Sequence, residues 1–477
     1  MKIIHSDEKK RKIPPILIMS MRKLFLPVNL FMVILFLAAS PGVGGLWAQD
    51  VRTRNIEDDS FLRIALEPSW FRETPASVLA KPPEVHNLRG GGRVQVRVET
   101  SAHSPNEFAI VLAREQNGAF PGWAQGSWVL TRRRDSNTHE NSRIRVFLRS
   151  DFNTYVQFRP LSSDRSQMDV VIYDAYILRS FPIPIPFERL FVLPVETALA
   201  AAGSRFPRRY FDPEPGRYRD SRAFVAAVRE RLPELTFVDD GALDEYGNFV
   251  FINTLQPQDT YAHRGGVNCS GFAKWIVDGI LRPVTGRRLP VAPLREPFGE
   301  RGGISIEHWE ALRDPFFGLD WIRNLASEAG TTLRSPSFVN LEEIEVREWP
   351  FSQIIQRQRG QRTVRPYQGF VQNAGFCVQG LLPLLYTLAI DEPGWIYLAA
   401  VNDEWGAPVT AENPRGLPRL RQFFHIAVLV PFFTEQGVFQ VVVFESAAET
   451  SIHGFMNRYP GHFVNLVRVP IEGRFDP

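Results

Sequence analysis

Cysteine is scarce in this chain: of 477 residues only Cys269 and Cys377 are cysteines. Cys269 stands in the run Tyr261-Ala-His-Arg-Gly-Gly-Val-Asn-Cys-Ser-Gly-Phe272. A glycine-containing loop leads to Asn268, a residue type that caps helix N-termini. Beyond it Phe272, Trp275, Ile276 and Ile280 recur at i, i+3, i+4 and i+8, which predicts an amphipathic helix over Cys269 to Leu281. A thiol in the first turn of such a helix sits at the positive end of the dipole, beside backbone donors that favour the thiolate. That is how a nucleophile is made. The plainer reading of Cys269 is a small buried residue, the usual place of a free cysteine.

A thiolate nucleophile needs a base within hydrogen-bond reach and a third polar group to orient that base. His425 opens the apolar run His425-Ile-Ala-Val-Leu-Val430, where packing alone does not call for histidine. Glu445 closes the next one, Val441-Val-Val-Phe-Glu445. The runs 425–433 and 438–445 form a predicted hairpin across Thr434-Glu-Gln-Gly437. Strand side chains alternate faces, so loop parity decides the geometry. With the odd loop Glu435-Gln436-Gly437 and Gly437 left-handed, residue 427 pairs with 445, and Glu445 lies diagonal to His425 on one face. With an even loop the carboxylate points away. The plainer readings are a histidine at a strand start and a solvated carboxylate at a strand end.

The run Asn-Cys-Ser-Gly-Phe at 268–272, followed by a histidine opening an apolar strand and a polar residue on the next strand, resembles the NlpC/P60 superfamily of papain-like cysteine hydrolases. The resemblance covers about 250–282 and 395–446. It implies a papain-like α+β domain with Cys269 as nucleophile, His425 as base and Glu445 as orienting group. It also implies a substrate-binding role for Tyr261, ahead of Gly265-Gly266, and cleavage of peptide or amide bonds in bacterial cell-wall peptides. This chain differs from the family pattern in having Asn268 in place of the common aspartate and a cysteine-to-histidine interval of 156 positions. It also has Glu where His, Asn or Gln is usual. His453 is the alternative third member.

The elements that must position these residues fall into two groups. Before about residue 180, short β-branched or aromatic runs recur at 93–99, 108–113, 127–131, 143–149, 155–159 and 169–178, the spacing of an all-β sandwich-like domain over 60–185. Trp123, Trp128, Tyr155 and Phe158 within it are either core or a stacking platform for sugar rings. Phe181-Pro-Ile-Pro-Ile-Pro-Phe187 predicts a stiff linker and a boundary near 180–215. The second domain, 205–477, mixes helix and strand: helices over 219–231 and 375–388, strands over 248–252 and 395–401, and a Pro-, Gly- and Arg-rich insertion at about 283–372 with helical pieces at 306–313 and 319–328.

Composition excludes several other chemistries. The leader, 1–48, holds seven Lys/Arg and two Asp/Glu, and from Gln49 onward 48 positive residues face 50 negative ones. A neutral body without a basic stripe argues against nucleic-acid binding. Met21-Arg-Lys23, the apolar run Leu24 to Ala39 and Leu46-Trp-Ala48 read as a secretory signal peptide, placing the mature protein in the periplasm or outside the cell. Export permits a Cys269–Cys377 disulfide. Only Lys81 and Lys274 lie beyond the leader, so no P-loop lysine exists, and neither a GxSxG elbow nor a GxGxxG fingerprint is present. His86, His103, His139, His263, His308 and His462 lack metal-ligand spacing, so no metal or cofactor is expected. His263, six residues before Cys269, is a loop histidine or a cleft residue. Two functions remain: an exported cysteine hydrolase whose partner is peptidoglycan, with the β-domain free to contact glycan, or a non-catalytic wall- or glycan-binding protein on the same shell.

Overall fold

Runs of β-branched and aromatic residues separated by tight turns build the first sheet. The computed structural model describes residues 58–102, 104–140, 142–258, 265–299, 314–358, 361–402 and 422–477. The expected leader, Tyr261, His103, His263, His308 and the helical piece at 306–313 lie outside these residues. After α1 (Ser60–Leu66) and α2 (Pro75–Leu79) come β1 (Glu84–Asn87), β2 (Arg93–Ser101), β3 (Ser104–Arg114), β4 (Trp128–Arg133), β5 (Arg143–Val146), β6 (Tyr155–Pro160), β7 (Ser166–Ile172) and β8 (Ala175–Ile183). Each strand pairs antiparallel with the next.

This corrects the expectation of two facing sheets: the described strands form one continuous meander, because every connection returns the chain beside the strand it has just left. The run 169–178, expected as one strand, is two. Tyr173 and Asp174 are both left-handed (φ 46° and 64°), the two-residue turn that reverses a hairpin. Trp128, Tyr155 and Phe158 are buried and only Trp123 is exposed, so these four side chains form no sugar-stacking platform.

The proline-rich run after β8 does not act as a spacer. Pro182 is within β8, and the chain then buries Phe187, Leu190 and Phe191, the face of α3 (Val195–Ala200), and Tyr210, Phe211 and Tyr218 in the main core. Residues 52–477 make one compact unit. Its main core runs from Trp70 and Phe158 through Trp275 and Trp321 to Val467.

In the second half, α4 (Arg219–Arg231) precedes β9 (Leu235–Phe237), the small hairpin β10 (Ala242–Leu243) and β11 (Phe249–Val250), and β12 (Gly265–Val267), which pairs parallel with β9. Then follow α5 (Cys269–Thr285), α6 (Val291–Leu294), α7 (Phe317–Leu333), α8 (Leu341–Ile344) and the hairpin β13 (Gln353–Gln358) and β14 (Gln361–Pro366). That hairpin extends the first sheet at β8, pairing Gln353 with Tyr176 and Ile354 with Ala175. The insertion therefore ties the two halves together.

The six-stranded second sheet is antiparallel throughout, ordered β15 (Phe376–Cys377), β20 (Phe463–Pro470), β16 (Trp395–Asn402), β17 (Phe423–Phe433), β18 (Phe439–Glu445), β19 (Ala448–Ser451). Two large antiparallel sheets with helices packed on them place the protein in the α+β class. Alternate residues feed two cores. Ile396, Leu398, Ile426, Val428 and Val467 join the main one with α5 and α7, and Tyr397, Ala399, Leu429, Val443 and Leu466 pack with α9 (Leu381–Asp391) and α10 (Ile452–Arg458). The helix expected from Gly375 starts later, because Phe376 and Cys377 are drawn into the sheet edge opposite Val464 and Phe463.

A buried polar network locks the second sheet to α7. Glu345, fully buried, receives Arg323 at 2.5 Å, Arg347 at 2.9 Å and the Asn465 amide at 3.2 Å, and Arg468 reaches Glu348 and Glu392 from the same strand as Asn465. Removing one partner of a buried pair leaves an uncompensated charge. Arg323→Met should therefore lower unfolding stability by about 3–5 kcal/mol in urea, whereas Arg72→Met, breaking the exposed Arg72–Glu188 pair, should cost at most about 1 kcal/mol. Equal costs would show that the network carries no special weight.

Candidate active site

Cys269 stands at a helix start. Asn268 is extended (φ −92°, ψ −171°); its side chain accepts the Gly271 N–H at 2.9 Å and its carbonyl the Phe272 N–H at 2.8 Å. The first-turn N–H groups of Cys269 and Ser270 thus have no intrahelical acceptor, as at any helix start. Gly271 is required by close approach: a Cβ there would lie 1.9 Å from the Gly241 carbonyl oxygen. Below the thiol the helix is buried on all sides, and the buried Lys274 pairs with Asp278 at 2.6 Å while Asp278 accepts the Leu289 N–H at 2.8 Å.

The hairpin has the odd loop. Val428 pairs with Phe444 and Phe433 with Phe439. The Thr434 N–H donates to Val438, Gly437 returns to Thr434, and Gly437 is left-handed at φ 72°. Continuing that register sets residue 427 opposite 445, so His425 and Glu445 share a face. Their side chains meet there, His425 Nε2 lying 2.7 Å from Glu445 Oε2. Arg149, from the loop after β5, donates to the Gly437 carbonyl and lies over the Phe433 ring.

Glu445 is not a solvated strand end; it is 5% exposed. Ser446 and Ala447 are both left-handed, turning the chain straight back into β19, which pairs Ala448 with Glu445. Ser451 then caps α10, accepting the Gly454 N–H at 3.0 Å. From its last turn Arg458 donates to Glu445 Oε1, and Tyr459 sets its ring 5.6 Å from the His425 ring. His453 is exposed on the same helix, and the carboxylate that meets His425 is that of Glu445.

Helix α7 braces both halves of the site. The Trp321 indole N–H donates to the Ser270 carbonyl at 2.9 Å, pinning the turn that carries Cys269. At its start the Pro315 carbonyl accepts the Phe423 N–H at 2.9 Å, two residues from His425. A Cβ at Gly318 would come within 2.5 Å of the Phe423 carbonyl oxygen.

The charges of the three groups are coupled. Burial pushes the Cys269 thiol up, but the hydrogen bond and charge of His425, with smaller contributions from the Ile426 N–H and Ser270, carry it below its ordinary value. Burial pushes His425 down, and its bonds to Cys269 and Glu445 raise it to about 9. Burial raises Glu445, but His425 and then Arg458 hold it below the usual carboxylate range. The three favour thiolate, imidazolium and carboxylate together. Such a set can attack an electrophilic carbon and then return a proton to a leaving group.

The structure thus brings together Cys269, His425 and Glu445 of the residues singled out by sequence. Cys377, at the sheet edge, is a free thiol like Cys269, hydrogen-bonds Gln379 and is pushed up by burial. Arg458, Tyr459 and Trp321 were not legible as site residues. Ser451 before Ile452 and Phe455 could have signalled a short capped helix, but nothing local says that it folds over Glu445. Among the described residues no three His, Cys, Asp or Glu side chains cluster as a metal ion requires, and no helix is long and apolar enough to cross a membrane.

One family model matches the chain, a domain of unknown function (DUF8515), over residues 52–210. That stretch covers the N-terminal helices, β1 to β8 and the segment through α3 and Tyr210, and stops short of Cys269. No curated protein and no solved structure matches the chain.

Proposed function

We propose that this chain is an exported cysteine hydrolase of papain-like, NlpC/P60-type architecture that cleaves peptide or amide bonds in bacterial cell-wall peptides. The observation that carries this reading is the joining of a helix-start thiol, an imidazole and a buried carboxylate, His425 Nε2 to Glu445 at 2.7 Å. The papain-like reading is supported by a nucleophile helix packed on an antiparallel sheet whose neighbouring strands supply base and orienting group. Substrate class and export rest on the Asn-Cys-Ser-Gly run and the leader.

Glu445 takes Nε2, which leaves Nδ1 for the thiol. The Cys269 thiolate attacks the scissile carbonyl carbon, and the developing oxyanion is met by the free N–H groups at the helix start. Collapse breaks the C–N bond, the amine leaves with the proton from Nδ1, and a thioester remains. Water attacks the thioester carbon, giving its proton to Nδ1. Collapse of that adduct breaks the C–S bond, the acid product departs, and the thiolate–imidazolium pair is restored.

Because His425 holds the Cys269 thiol below its ordinary value, a thiolate should persist on the acid side of an ordinary cysteine. It is lost as pH falls through that lowered value, and the imidazolium is lost as pH rises through about 9. Iodoacetamide at pH 6.5–7, read by peptide mass spectrometry, should label Cys269 well before Cys377 and before any free thiol of ordinary titration near pH 8.5. His425→Ala should remove the advantage. Equal labelling of the two cysteines would reject the nucleophile assignment.

On a cell-wall stem peptide, Cys269→Ser should abolish hydrolysis and His425→Ala should cost at least about 10²- to 10⁴-fold, with Glu445→Gln losing less. One residue inserted between Thr434 and Gly437 should also abolish it, since the slip turns one strand's side chains to the other face. Circular dichroism confirms folding in each case, and a near-normal rate for His425→Ala would move the base elsewhere.

A further inference from the structure

Glu445 has two carboxylate oxygens and each has a dedicated partner. Oε2 meets His425 and Oε1 receives Arg458, a side chain 49% exposed on the last turn of α10. The groups facing the imidazole are Cys269 from α5, Glu445 from β18 and Tyr459 just past α10, with His462 packed on Tyr459 at 5.8 Å. The Arg458 guanidinium also lies over the Tyr459 ring, 5.8 Å from its centroid. Helix α10 is itself held by Ile452 and Phe455 in the core beneath the second sheet, and Phe455 packs on Tyr459 at 5.1 Å. Thiolate, imidazolium, carboxylate and guanidinium then form a row of alternating charge that sums to zero. Without the fourth member the row carries a net negative charge in a largely buried place, which low dielectric penalises.

We propose that Arg458 is a positioning residue for the candidate site: it fixes Glu445 in the orientation that receives the His425 N–H and balances its charge, so that the Cys269 thiolate is sustained. This rests on the reading of Cys269, His425 and Glu445 as one reactive unit. The sign of its effect is set twice over. Losing the guanidinium removes a positive charge that favours the thiolate, and it also frees Glu445 to turn toward water, weakening the imidazolium that pairs with the sulfur. Both changes move the thiol titration upward.

The test is the pH dependence of iodoacetamide alkylation at Cys269 in the full chain, for the unmodified protein, Arg458→Gln, Arg458→Lys, Glu445→Gln and the double variant. Arg458→Gln should raise the midpoint by about half a pH unit or more, and Arg458→Lys, which keeps the charge but not the planar fork, should show a smaller rise. In the Glu445→Gln background the same replacement should add a markedly smaller shift, because only the direct loss of positive charge remains, an outcome that a purely structural role for Arg458 does not produce. An unchanged midpoint in Arg458→Gln overturns the proposal, and so does an equal shift with Glu445 already replaced. Should Arg458→Gln fail to fold, the absence of any rise in Arg458→Lys overturns it. If Cys269 of the unmodified protein labels no faster than Cys377, the reactive unit itself fails, a result separate from the other two.

Discussion

The hydrogen bond between His425 and Glu445 ties a protonation state to a strand register. It forms only because the two residues share a face of the hairpin, and they share it only because three residues, the last of them a left-handed glycine, join the strands. The alternate faces of these strands fill two different cores, so a one-residue slip would exchange two apolar sets as well as move the carboxylate. The register that positions the proposed base is therefore the one that the packing of the whole second sheet enforces.

The residues between cysteine and histidine do structural service for that arrangement. Trp321 and the turn at Pro315 and Gly318 touch the two halves of the candidate site, and the buried carboxylate of Glu345 anchors α7 to β20 of the second sheet. The first sheet takes part as well. Arg149 reaches the turn at Gly437, and Tyr173 packs on Tyr386 and Phe439. A segment expected to separate two domains is instead core for both. The proposed hydrolase site thus depends on contacts drawn from nearly every part of the described chain.

Much of the candidate site is legible in the amino-acid sequence. An asparagine before a periodic apolar run is a cap followed by a helix, whatever surrounds it, so Cys269 at a helix start follows from short-range rules. Two apolar runs joined by a short turn containing Gly437 make a hairpin, and a period of two converts loop length into facing side chains. These signals act over a few residues and survive changes of context. The breaks that the sequence does not mark are those where the local pattern is silent. Nothing in the run 169–178 marks the Tyr173-Asp174 turn, whose residues are not the usual glycine and asparagine, and the apolar run from Gly375 fits a helix as well as the edge strand it begins with.

What only the tertiary structure decided is the environment of Glu445. A carboxylate at the end of an apolar strand is by its sequence a surface group, and it becomes a buried acceptor because the Ser446-Ala447 turn brings β19 back beside it and α10 then lays Arg458 on its other oxygen. Charge balance at a buried site is a sum over elements that meet only after folding. Sequence determined the helix that begins at Cys269, the hairpin and the face shared by His425 and Glu445, by capping and periodicity. Packing decided which charges face them, because the free energy of a buried charge depends on partners that no local spacing specifies.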